Sequence, residues 1–368
     1  MKRPSTREVA ENPDVAPGGA AGLPLLRTPL RSVRVPGYEM DAPGLLPMHA
    51  NTNLLGQNPA VAREARVTAR LESNQYPTEN SESLCAALAK HHGLPRSWFI
   101  AGNGCDEILD IVAKTFLDPG DAMAYPVPAF VMYRFYASVN LGRPVEIPLQ
   151  DDGKRWQLDV EGLLGTRAKV IVVASPNNPT GNAFPAEELR ELARRAPGIV
   201  AVDEAYADFC GQDLVPETRR APNLVVLRTF SKAYGLAGLR VGYAVGQPAV
   251  IDAMRRAKPP FNVSSFSERV ASRALVERAF WRKSVSVLPR ERAKAMAAVA
   301  KLGCHVWESD ANFFLMKPPR PVAAGLKARG ILVRDVSGHH PSLQGCVRVT
   351  TGDARTNARF LRELRKSL

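Results

Sequence analysis

The sequence is poor in the residues that would build a disulfide or metal framework. Its 368 residues include five cysteines, an odd number, and no two of them stand in a CxxC spacing. The six histidines form no HExxH motif and no cluster with cysteine. A small domain held by disulfides is therefore excluded, and no metal site is expected. Free thiols favour a reducing compartment, so we expect a cytoplasmic protein.

Long apolar runs and nucleic-acid motifs are also missing. No apolar stretch approaches the roughly 18 residues that cross a membrane, and the first residues are charged, so neither a membrane span nor a secretory signal is expected. The net charge is +13, but the basic residues are dispersed and form no zinc-finger, RNP or basic-zipper pattern. These charges are typical of solvated helix faces, and nucleic acid is not an expected partner.

Proline marks the first of three expected regions. Residues 1–47 contain eight prolines, which disfavour helix and predict an extended arm. From residue 48 to residue 263, short apolar segments alternate with helical patterns. This alternation predicts a large domain with a mostly parallel sheet covered on both faces by helices. After Pro259 and Pro260 the pattern changes, and we place a small α+β domain at residues 264–368.

Apolar periodicity locates the elements of both domains. In the large domain it predicts helices over 106–116, 130–141 and 186–195, and strands over 98–101, 121–125, 169–175, 198–203 and 224–229. In the small domain it predicts a long helical stretch over 264–302 that is interrupted near Pro289. Further helices are expected over 323–329 and 354–366, and strands over 305–308, 313–316, 331–334 and 347–350. Segment 169–175, KVIVVAS, has the composition of a strand buried on both faces.

Four polar segments directly follow predicted strands. They are residues 102–107 (GNGCDE), 175–181 (SPNNPTG), 203–206 (DEAY) and 229–232 (TFSK). The carboxyl ends of parallel strands lie at one edge of a sheet. We therefore expect the four segments to meet at that edge and to form the functional site.

Individual residues of these segments have recognisable chemistry. The glycine-rich turn 102–107 opens a helix whose unpaired N–H groups suit a phosphate, although an ordinary tight turn is an equal alternative. It is not a complete dinucleotide fingerprint, because Glu107 stands where the third glycine would be. Asp203 at a buried strand end needs a cationic partner or hydrogen-bond donors, or its pKa rises; a protonated ring nitrogen or a salt bridge to an arginine would satisfy it. Lys232 could bond covalently to a carbonyl carbon, or it could be a surface lysine.

Taken together, the segments resemble a known enzyme family. SPNNPTG, DEAY and SKAYGLAGLRVGY, in this order, are similar to motifs of the fold-type I pyridoxal-phosphate aminotransferases. GNGCDE, PAFVMY and CVRVTTG are similar to motifs of the histidinol-phosphate aminotransferase group. The resemblance extends from about Asn51 to the C-terminus. It implies an α/β fold with a mostly parallel seven-stranded sheet in the large domain, and pyridoxal 5'-phosphate as the cofactor.

The resemblance also implies a role for each matching residue on the cofactor side. Lys232 would hold the cofactor covalently and move the substrate proton, and Asp203 would keep the ring nitrogen protonated. Asn178 and Tyr206 would bond the ring hydroxyl oxygen. Phe130 would stack on the ring, where the family usually has tyrosine. The expected catalytic residues are thus Lys232, Asp203 and Tyr206. The cofactor phosphate would be held by Gly104, Cys105, Asp106, Thr229, Ser231 and Arg240.

On the substrate side, the resemblance implies an amino donor and a 2-oxo acid acceptor. Arg348 would bind a carboxylate with its two-pronged guanidinium group, and Arg334 would lie near the distal group of the substrate. Asn53 would complete the substrate site. Tyr76, in YPTENS, would reach the cofactor phosphate of the neighbouring subunit, which implies a homodimer with shared active sites.

Several positions of the substrate side depart from the family pattern. The usual Asn-Glu-Asn-Pro is replaced by Asn-Thr-Asn-Leu at residues 51–54, Val35 stands where the arm usually has tyrosine, and the loop 335–345 is longer than usual. Two alternatives therefore stay open. One is amino transfer from histidinol phosphate to 2-oxoglutarate. The other is a related reaction, by an aromatic aminotransferase, a threonine-phosphate-type decarboxylase or a specialised biosynthetic aminotransferase. The presence of Lys232 disfavours a non-catalytic binding domain.

Overall fold

The computed structural model describes residues 44–68 and 74–368, together with residues 27, 30 and 33. The expected extended arm lies almost entirely outside these residues. The strands are β1 (Leu46–Met48), β2 (Phe99–Gly102), β3 (Ala122–Val127), β4 (Arg143–Pro148), β5 (Gln150–Asp151), β6 (Trp156–Gln157), β7 (Val170–Ala174), β8 (Ile199–Asp203), β9 (Leu224–Thr229), β10 (Gly242–Val245), β11 (His305–Val306), β12 (Phe313–Lys317), β13 (Ile331–Asp335) and β14 (Val347–Thr350). The helices are α1 (Pro59–Thr68), α2 (Glu82–His92), α3 (Gly104–Phe116), α4 (Met132–Val139), α5 (Val160–Gly165), α6 (Ala186–Arg195), α7 (Pro248–Arg256), α8 (Ser265–Val276), α9 (Ala279–Ala300), α10 (Ala323–Ala328) and α11 (Ala354–Ser367).

Seven strands form the large sheet, in the spatial order β2-β10-β9-β8-β7-β3-β4. Strand β10 runs antiparallel to both of its neighbours, and the other adjacent pairs are parallel. The carboxyl ends of β2, β3, β7, β8 and β9 therefore lie at one edge. The predicted α/β fold with a mostly parallel seven-stranded sheet is confirmed. Strand β10 was missed because its four residues adjoin the glycine-rich stretch 235–242.

The central strands of the large sheet are buried on both faces, as their composition predicted. Along β7, Val170 and Val172 pack into a core with α3, α4 and α7. Ile171 and Val173 pack into a second core with α2, α6 and α8 on the opposite face. This alternation is the two-residue period of a strand, and it produces three layers. Burial of each such side chain contributes ~1.5–3 kcal/mol to folding.

The small sheet has the order β1-β13-β14-β12-β11 and is antiparallel except for the β1–β13 pair. Its apolar face packs on α9, α10 and α11 through residues such as Val299, Leu326 and Phe360. Arg334 of β13 lies directly opposite Arg348 of β14. Directly opposed residues project to the same face of a sheet, so this register brings two guanidinium groups together.

Two segments pack across the expected domain boundaries. Leu46–Met48, at the expected junction of arm and large domain, pairs with β13 at the edge of the small sheet. Helix α8, expected in the small domain, contributes Val270 and Leu275 to a core of the large sheet. The chain passes to the small domain along α9, whose last turns pack there through Ala295 and Val299.

The predicted break near Pro289 is wrong. Helix α8 ends at Val276 and α9 begins at Ala279, whereas Pro289 lies inside α9. A proline in this position removes the hydrogen bond to the Val285 carbonyl but leaves the rest of the helix intact. The neighbouring Leu288 is fully buried, and this packing holds the helix together across the proline.

Three further observations concern the residues that the structure describes. All five cysteines are free. No group of three or more histidine, cysteine, aspartate or glutamate side chains within the described ranges could hold a metal ion. No helix in that part of the chain has the length and apolar character needed to cross a membrane.

Candidate active site

The four polar segments meet at the carboxyl edge of the large sheet, as predicted, and they line two adjoining cavities. The inner cavity, of about 240 Å³, lies against the strand ends and is bounded by Asp203, Thr229 and Ser231. The outer cavity, of about 450 Å³, extends to Arg334 and Arg348 of the small sheet. The two cavities share Ala50, Asp106, Phe130, Asn178, Tyr206, Lys232 and Arg240.

Asp203 ends β8, and its buried carboxylate lies in the wall of the inner cavity. Its Oδ2 accepts a hydrogen bond from the Tyr133 hydroxyl at 2.9 Å, and its Oδ1 accepts one from the Ala205 N–H at 3.0 Å. Burial raises the pKa of Asp203, and these two hydrogen bonds oppose that effect. No arginine among the described residues pairs with this carboxylate, so the inner cavity offers it to a cationic group of a ligand, such as a protonated ring nitrogen.

Lys232 follows the end of β9, and its side chain borders both cavities. Its Nζ donates to the Ala50 carbonyl at 3.3 Å and lies 5.5 Å from the centre of the Tyr206 ring. The amine is therefore directed between the cavities rather than away from the protein. From this position it can reach both a carbonyl carbon in the inner cavity and a substrate in the outer one.

Asn178 and Tyr206 present hydrogen-bond donors to the inner cavity. The Asn178 side-chain oxygen accepts a bond from the Arg348 guanidinium group, which leaves its NH₂ group as the donor. The Tyr206 hydroxyl accepts a bond from the Asn51 side chain at 3.1 Å, which leaves its own proton for a further partner. Two converging donors match the needs of a hydroxyl oxygen on an aromatic ring.

The glycine-rich turn forms the start of α3 beside Arg240. Gly104 has a φ of +84°, a backbone conformation that favours glycine, and a Cβ there would also displace the Arg240 guanidinium group, whose Nη2 would lie 2.4 Å away. Arg240 and Asp106 form an ion pair at 2.8 Å. The first turn of α3, Arg240 and Ser231 thus surround one end of the inner cavity, which suits a phosphate. The Asp106 carboxylate is paired with Arg240. The group of Asp106 that suits an anion is therefore its backbone N–H.

Glu107 and Cys105 also make hydrogen bonds that hold this turn. The Glu107 carboxylate accepts bonds from the Asn103 N–H and the Asn262 side chain, so the residue in the third-glycine position caps α3. The Cys105 thiol donates to the Arg228 carbonyl at 3.0 Å. Burial raises the pKa of Cys105 well above its usual range, so the thiol stays protonated and adds no charge to the site.

Phe130 lies in the wall of both cavities, opposite the groups just described. Its ring meets the ring of Tyr133 edge-on, with centres 5.7 Å apart and an angle of 86°. This contact fixes the plane of Phe130 and leaves a face for stacking. Tyr133, which is fully buried and bonded to Asp203, was missed in the sequence. Its place at the start of the predicted helix 130–141 was the available signal.

Arg334 and Arg348 bound the outer cavity on the side of the small sheet. Arg348 donates to the Asn178 side chain and to the His49 carbonyl, and it lies 5.4 Å from the centre of the Phe313 ring. Like charges at directly opposed positions of two strands destabilise a sheet, and an anion bound between them removes the repulsion. The outer cavity is therefore suited to an anionic substrate.

Asn53, expected in the substrate site, does not line the outer cavity. Its NH₂ group donates to the Lys232 carbonyl at 3.2 Å and to the Ser284 hydroxyl at 2.8 Å. It therefore holds the backbone that carries Lys232. Asn51 takes the expected place in the cavity wall and bonds Tyr206. The motif did not show which asparagine faces the cavity, because Asn51 has a left-handed backbone, with φ of 53°.

Tyr76 lies outside both cavities. Its side chain is 81% exposed and stacks on Phe261, with ring centres 4.9 Å apart. Phe261 is itself 44% exposed. Exposed aromatic pairs of this kind are typical of surfaces that another protein covers. Tyr76 thus lies at the surface of the chain and not in its own active site.

The family of the chain follows from its match to known proteins. The family model described as aminotransferase class I and II matches residues 43–364. The chain belongs to this family. The assignment confirms the predicted class of enzyme, an aminotransferase, together with the predicted cofactor, pyridoxal phosphate. An aminotransferase takes two small-molecule substrates, an amino donor and a 2-oxo acid.

Individual relatives cover almost the whole aminotransferase chain. A histidinol-phosphate aminotransferase of Desulfitobacterium hafniense (strain Y51) is 34% identical over 349 residues, which are 92% of this chain and 96% of that protein. A histidinol-phosphate aminotransferase of Trichormus variabilis is 35% identical and covers 80% of this chain and 84% of its own length. The crystal structure of histidinol-phosphate aminotransferase from Sinorhizobium meliloti in complex with pyridoxal-5'-phosphate has a TM-score of 0.83 at 24% identity, covering 95% of this chain and 98% of that one.

Proposed function

We propose that this aminotransferase acts on histidinol phosphate and 2-oxoglutarate, and that it forms imidazole-acetol phosphate and glutamate. The observation that carries this proposal is the opposed pair of Arg334 and Arg348 in the wall of the outer cavity, which Lys232 also borders. The donor brings a phosphate and the acceptor brings two carboxylates. Both half-reactions therefore deliver anions to the same two guanidinium groups. The names and coverage of the relatives support the same substrate.

We assign the residues of the inner cavity to the cofactor. Pyridoxal phosphate supplies a ring that withdraws electrons from the reacting substrate carbon. Asp203 keeps the proton on the ring nitrogen, Asn178 and Tyr206 donate to the ring hydroxyl oxygen, and Phe130 stacks on the ring face. The phosphate is held by Ser231, Thr229, the Arg240 guanidinium group and the backbone N–H groups of Gly104, Cys105 and Asp106.

Lys232 is the residue that moves the proton in this proposal. Its amine lies between the two cavities, so it takes a proton from the substrate carbon in the outer cavity and returns it on the side of the cofactor. Asn53 holds the backbone of Lys232 in place through its bond to the carbonyl. The same amine moves the proton in one direction in the first half-reaction and in the opposite direction in the second.

We also propose a homodimer in which Tyr76 completes the phosphate site of the partner. The exposed stacked pair of Tyr76 and Phe261 supports this contact. Light scattering should give the mass of a dimer. In mixed dimers of a Tyr76→Phe subunit and a Lys232→Ala subunit, both defects should fall in one site and leave the other with wild-type activity. A fully active monomer would contradict the proposal. The five free cysteines support a cytoplasmic location.

The main alternative is an aminotransferase for an aromatic amino acid. Such a substrate has one carboxylate, which would use Arg348 and make no use of Arg334. The two substrates are therefore distinguished by the dependence of each donor on Arg334.

A donor panel with 2-oxoglutarate as the acceptor tests the substrate. Histidinol phosphate should show the highest kcat/KM, and Arg334→Ala should lower it at least about tenfold while phenylalanine changes little, because a charge-assisted bond to phosphate is lost. Arg348→Ala should raise the KM for 2-oxoglutarate. Arg355→Ala, at an exposed position of α11, is the matched control. Equal losses with both donors would contradict the assignment, and a higher kcat/KM with phenylalanine than with histidinol phosphate would favour the aromatic substrate.

A further inference from the structure

A third cavity, of about 280 Å³, adjoins the outer cavity and is here called the side cavity. The two share Ala129, Phe130, Val131 and His339, so the side cavity begins where the outer cavity ends, beside Phe130. The remaining walls come from β3, β4, the start of α4 and the loop between β13 and β14. They are formed by Tyr125, Val127, Pro128, Arg134, Glu146, His340 and Pro341.

Glu146, on the edge strand β4, is the acidic group of the side cavity. Its Oε1 accepts bonds from the Tyr125 hydroxyl and from the Arg134 guanidinium group, each at 2.9 Å. Burial, together with the charge of Glu146, raises the pKa of Tyr125, so the phenol keeps its proton and acts as a donor. Both donors use the same oxygen. Oε2 accepts no bond from the described residues and is an open acceptor.

His339 stands at the junction of the outer and side cavities. Desolvation of the ring lowers the pKa of His339, and the charges of Arg334 and Arg348 add smaller contributions in the same direction. The charge of Asp335 opposes this effect. The imidazole is therefore neutral near pH 7. It adds no third cation to the arginine pair, and it bounds the side cavity with a flat ring.

We propose that the side cavity binds the distal ring of the amino donor, and that it selects a flat nitrogen heterocycle whose N–H donates to Oε2 of Glu146. This inference rests on the proposed function and specifies its donor more closely. The amine-bearing carbon of histidinol phosphate carries two arms, one with the phosphate and one with the imidazole. The cavity divides in the same way, with the arginine pair in the outer cavity and Glu146 in the side cavity.

The lining explains why a heterocycle is preferred to a phenyl ring. Val127, Pro128, Val131 and Pro341 offer apolar contacts that suit either ring. A phenyl ring, however, would cover Oε2 of Glu146 without giving it a donor, and covering an unpaired carboxylate oxygen is unfavourable. Sites built to bond a polar group of the substrate discriminate strongly against analogues that lack it.

Glu146→Gln is the sharpest test. The glutamine oxygen can still accept the bonds from Tyr125 and Arg134, while an NH₂ group replaces Oε2 and meets the ligand N–H as a second donor. In the holoenzyme, kcat/KM for histidinol phosphate should fall about tenfold to 100-fold, as expected for a lost bond to a charged group. The value for phenylalanine should not fall, because its ring makes no bond to Oε2, and the KM for 2-oxoglutarate should change less than about twofold. Glu187→Gln, at an exposed position of α6, is the matched control.

Histidinol, which has the imidazole but no phosphate, provides a second readout. Its inhibition constant against glutamate should rise in Glu146→Gln by a factor similar to the loss in kcat/KM. An unchanged constant, or equal losses with histidinol phosphate and phenylalanine, would overturn the inference, because equal losses would show a purely structural role. If the wild-type enzyme does not use histidinol phosphate, the proposed function fails. The response of histidinol inhibition to Glu146→Gln then still decides whether the side cavity binds an imidazole.

Discussion

The inner and outer cavities are built in different ways although they share seven residues. The inner cavity is formed at strand ends of the large sheet, and Asp203 and Thr229 are the last residues of their strands. The outer cavity is closed by the small sheet and by two irregular segments, residues 49–51 and the loop that carries His339. Strand register positions the cofactor side, whereas domain packing and loops position the substrate side.

Because of this difference, residues of the outer cavity can be replaced during evolution more readily than residues of the inner cavity. A residue at a strand end in a buried sheet cannot move without displacing its neighbours, because the strands on both sides are packed. A loop residue can be replaced or shifted at little cost in stability. In the proposed function, the residues assigned to the cofactor therefore lie at or shortly after strand ends, and the residues assigned to the substrate lie on the small sheet.

The largest expected effect is at the amine shared by both cavities. Lys232→Ala should reduce turnover below detection with every donor, because no other amine of the described residues borders both cavities. The visible absorbance of the covalently held cofactor should be lost as well. Lys283→Ala, at an exposed position of α9, should leave both unchanged. Retention of a covalently bound cofactor in Lys232→Ala would break the assignment of the inner cavity.

A large effect is also expected at the buried carboxylate. Asp203→Asn should leave the cofactor bound but lower kcat at least about 100-fold, since a neutral amide does not hold the proton on the ring nitrogen and each ~1.4 kcal/mol costs a factor of ten. Tyr133→Phe, which removes one hydrogen bond to the carboxylate, should cost about tenfold. Rates near wild type in Asp203→Asn would show that the residue is only structural. Steady-state kinetics with two donors should give equal losses, as expected for the inner cavity.

A smaller effect is expected at Asn53, which bonds the backbone of Lys232 and lies outside the wall of the outer cavity. Asn53→Ala should lower kcat for all donors by the same factor, about tenfold, because the residue fixes the backbone of Lys232 and touches no substrate. Asn53→Asp, which keeps the size of the side chain but loses the NH₂ donor, should show the same equal loss with all donors. The measurement is the ratio of kcat/KM for histidinol phosphate and phenylalanine. A change in that ratio would show that Asn53 contacts the substrate.

The smallest effect concerns the stability of the sheet that carries the inner cavity. His92 bonds the Tyr243 hydroxyl of β10 at 3.0 Å, and burial lowers its pKa from 6.5 to about 3. The unfolded chain binds this proton near pH 6.5 and the folded chain does not, so stability falls as the pH drops from 6.5 toward 3. The slope is at most ~1.4 kcal/mol per pH unit. His92→Gln should flatten the slope in chemical denaturation, and an unchanged slope would refute the assignment.

The sequence allowed the inner cavity to be predicted more fully than the outer one. Asp203 and Lys232 follow apolar strands, and a strand end is visible as the point where an apolar run stops. Tyr133 was missed because its contact with Asp203 depends on how α4 packs on the sheet. Asn51 and Asn53 could not be told apart, because the left-handed backbone at Asn51 decides which side chain faces the cavity.

The assignment of elements to the two domains was limited in the same way, because it depends on contacts between distant parts of the chain. The apolar run at Leu46–Met48 is too short to reveal its partner, and its pairing with β13 joins residues almost 300 positions apart. Helix α8 has the pattern of any amphipathic helix, and only packing shows that it belongs to the large sheet. Periodicity identifies an element, but long-range pairing decides to which sheet it belongs.

The bond between Arg348 and Asn178 has a consequence for how the two binding events communicate. The Asn178 side-chain oxygen accepts a bond from Arg348, which borders the outer cavity, and its NH₂ group is assigned in the proposed function to the cofactor ring. An anion that draws the guanidinium group away changes the orientation of that amide, and a change at the ring oxygen acts back on the arginine. Occupancy of one cavity is thus thermodynamically linked to the state of the other, and the coupling free energy must be the same in both directions.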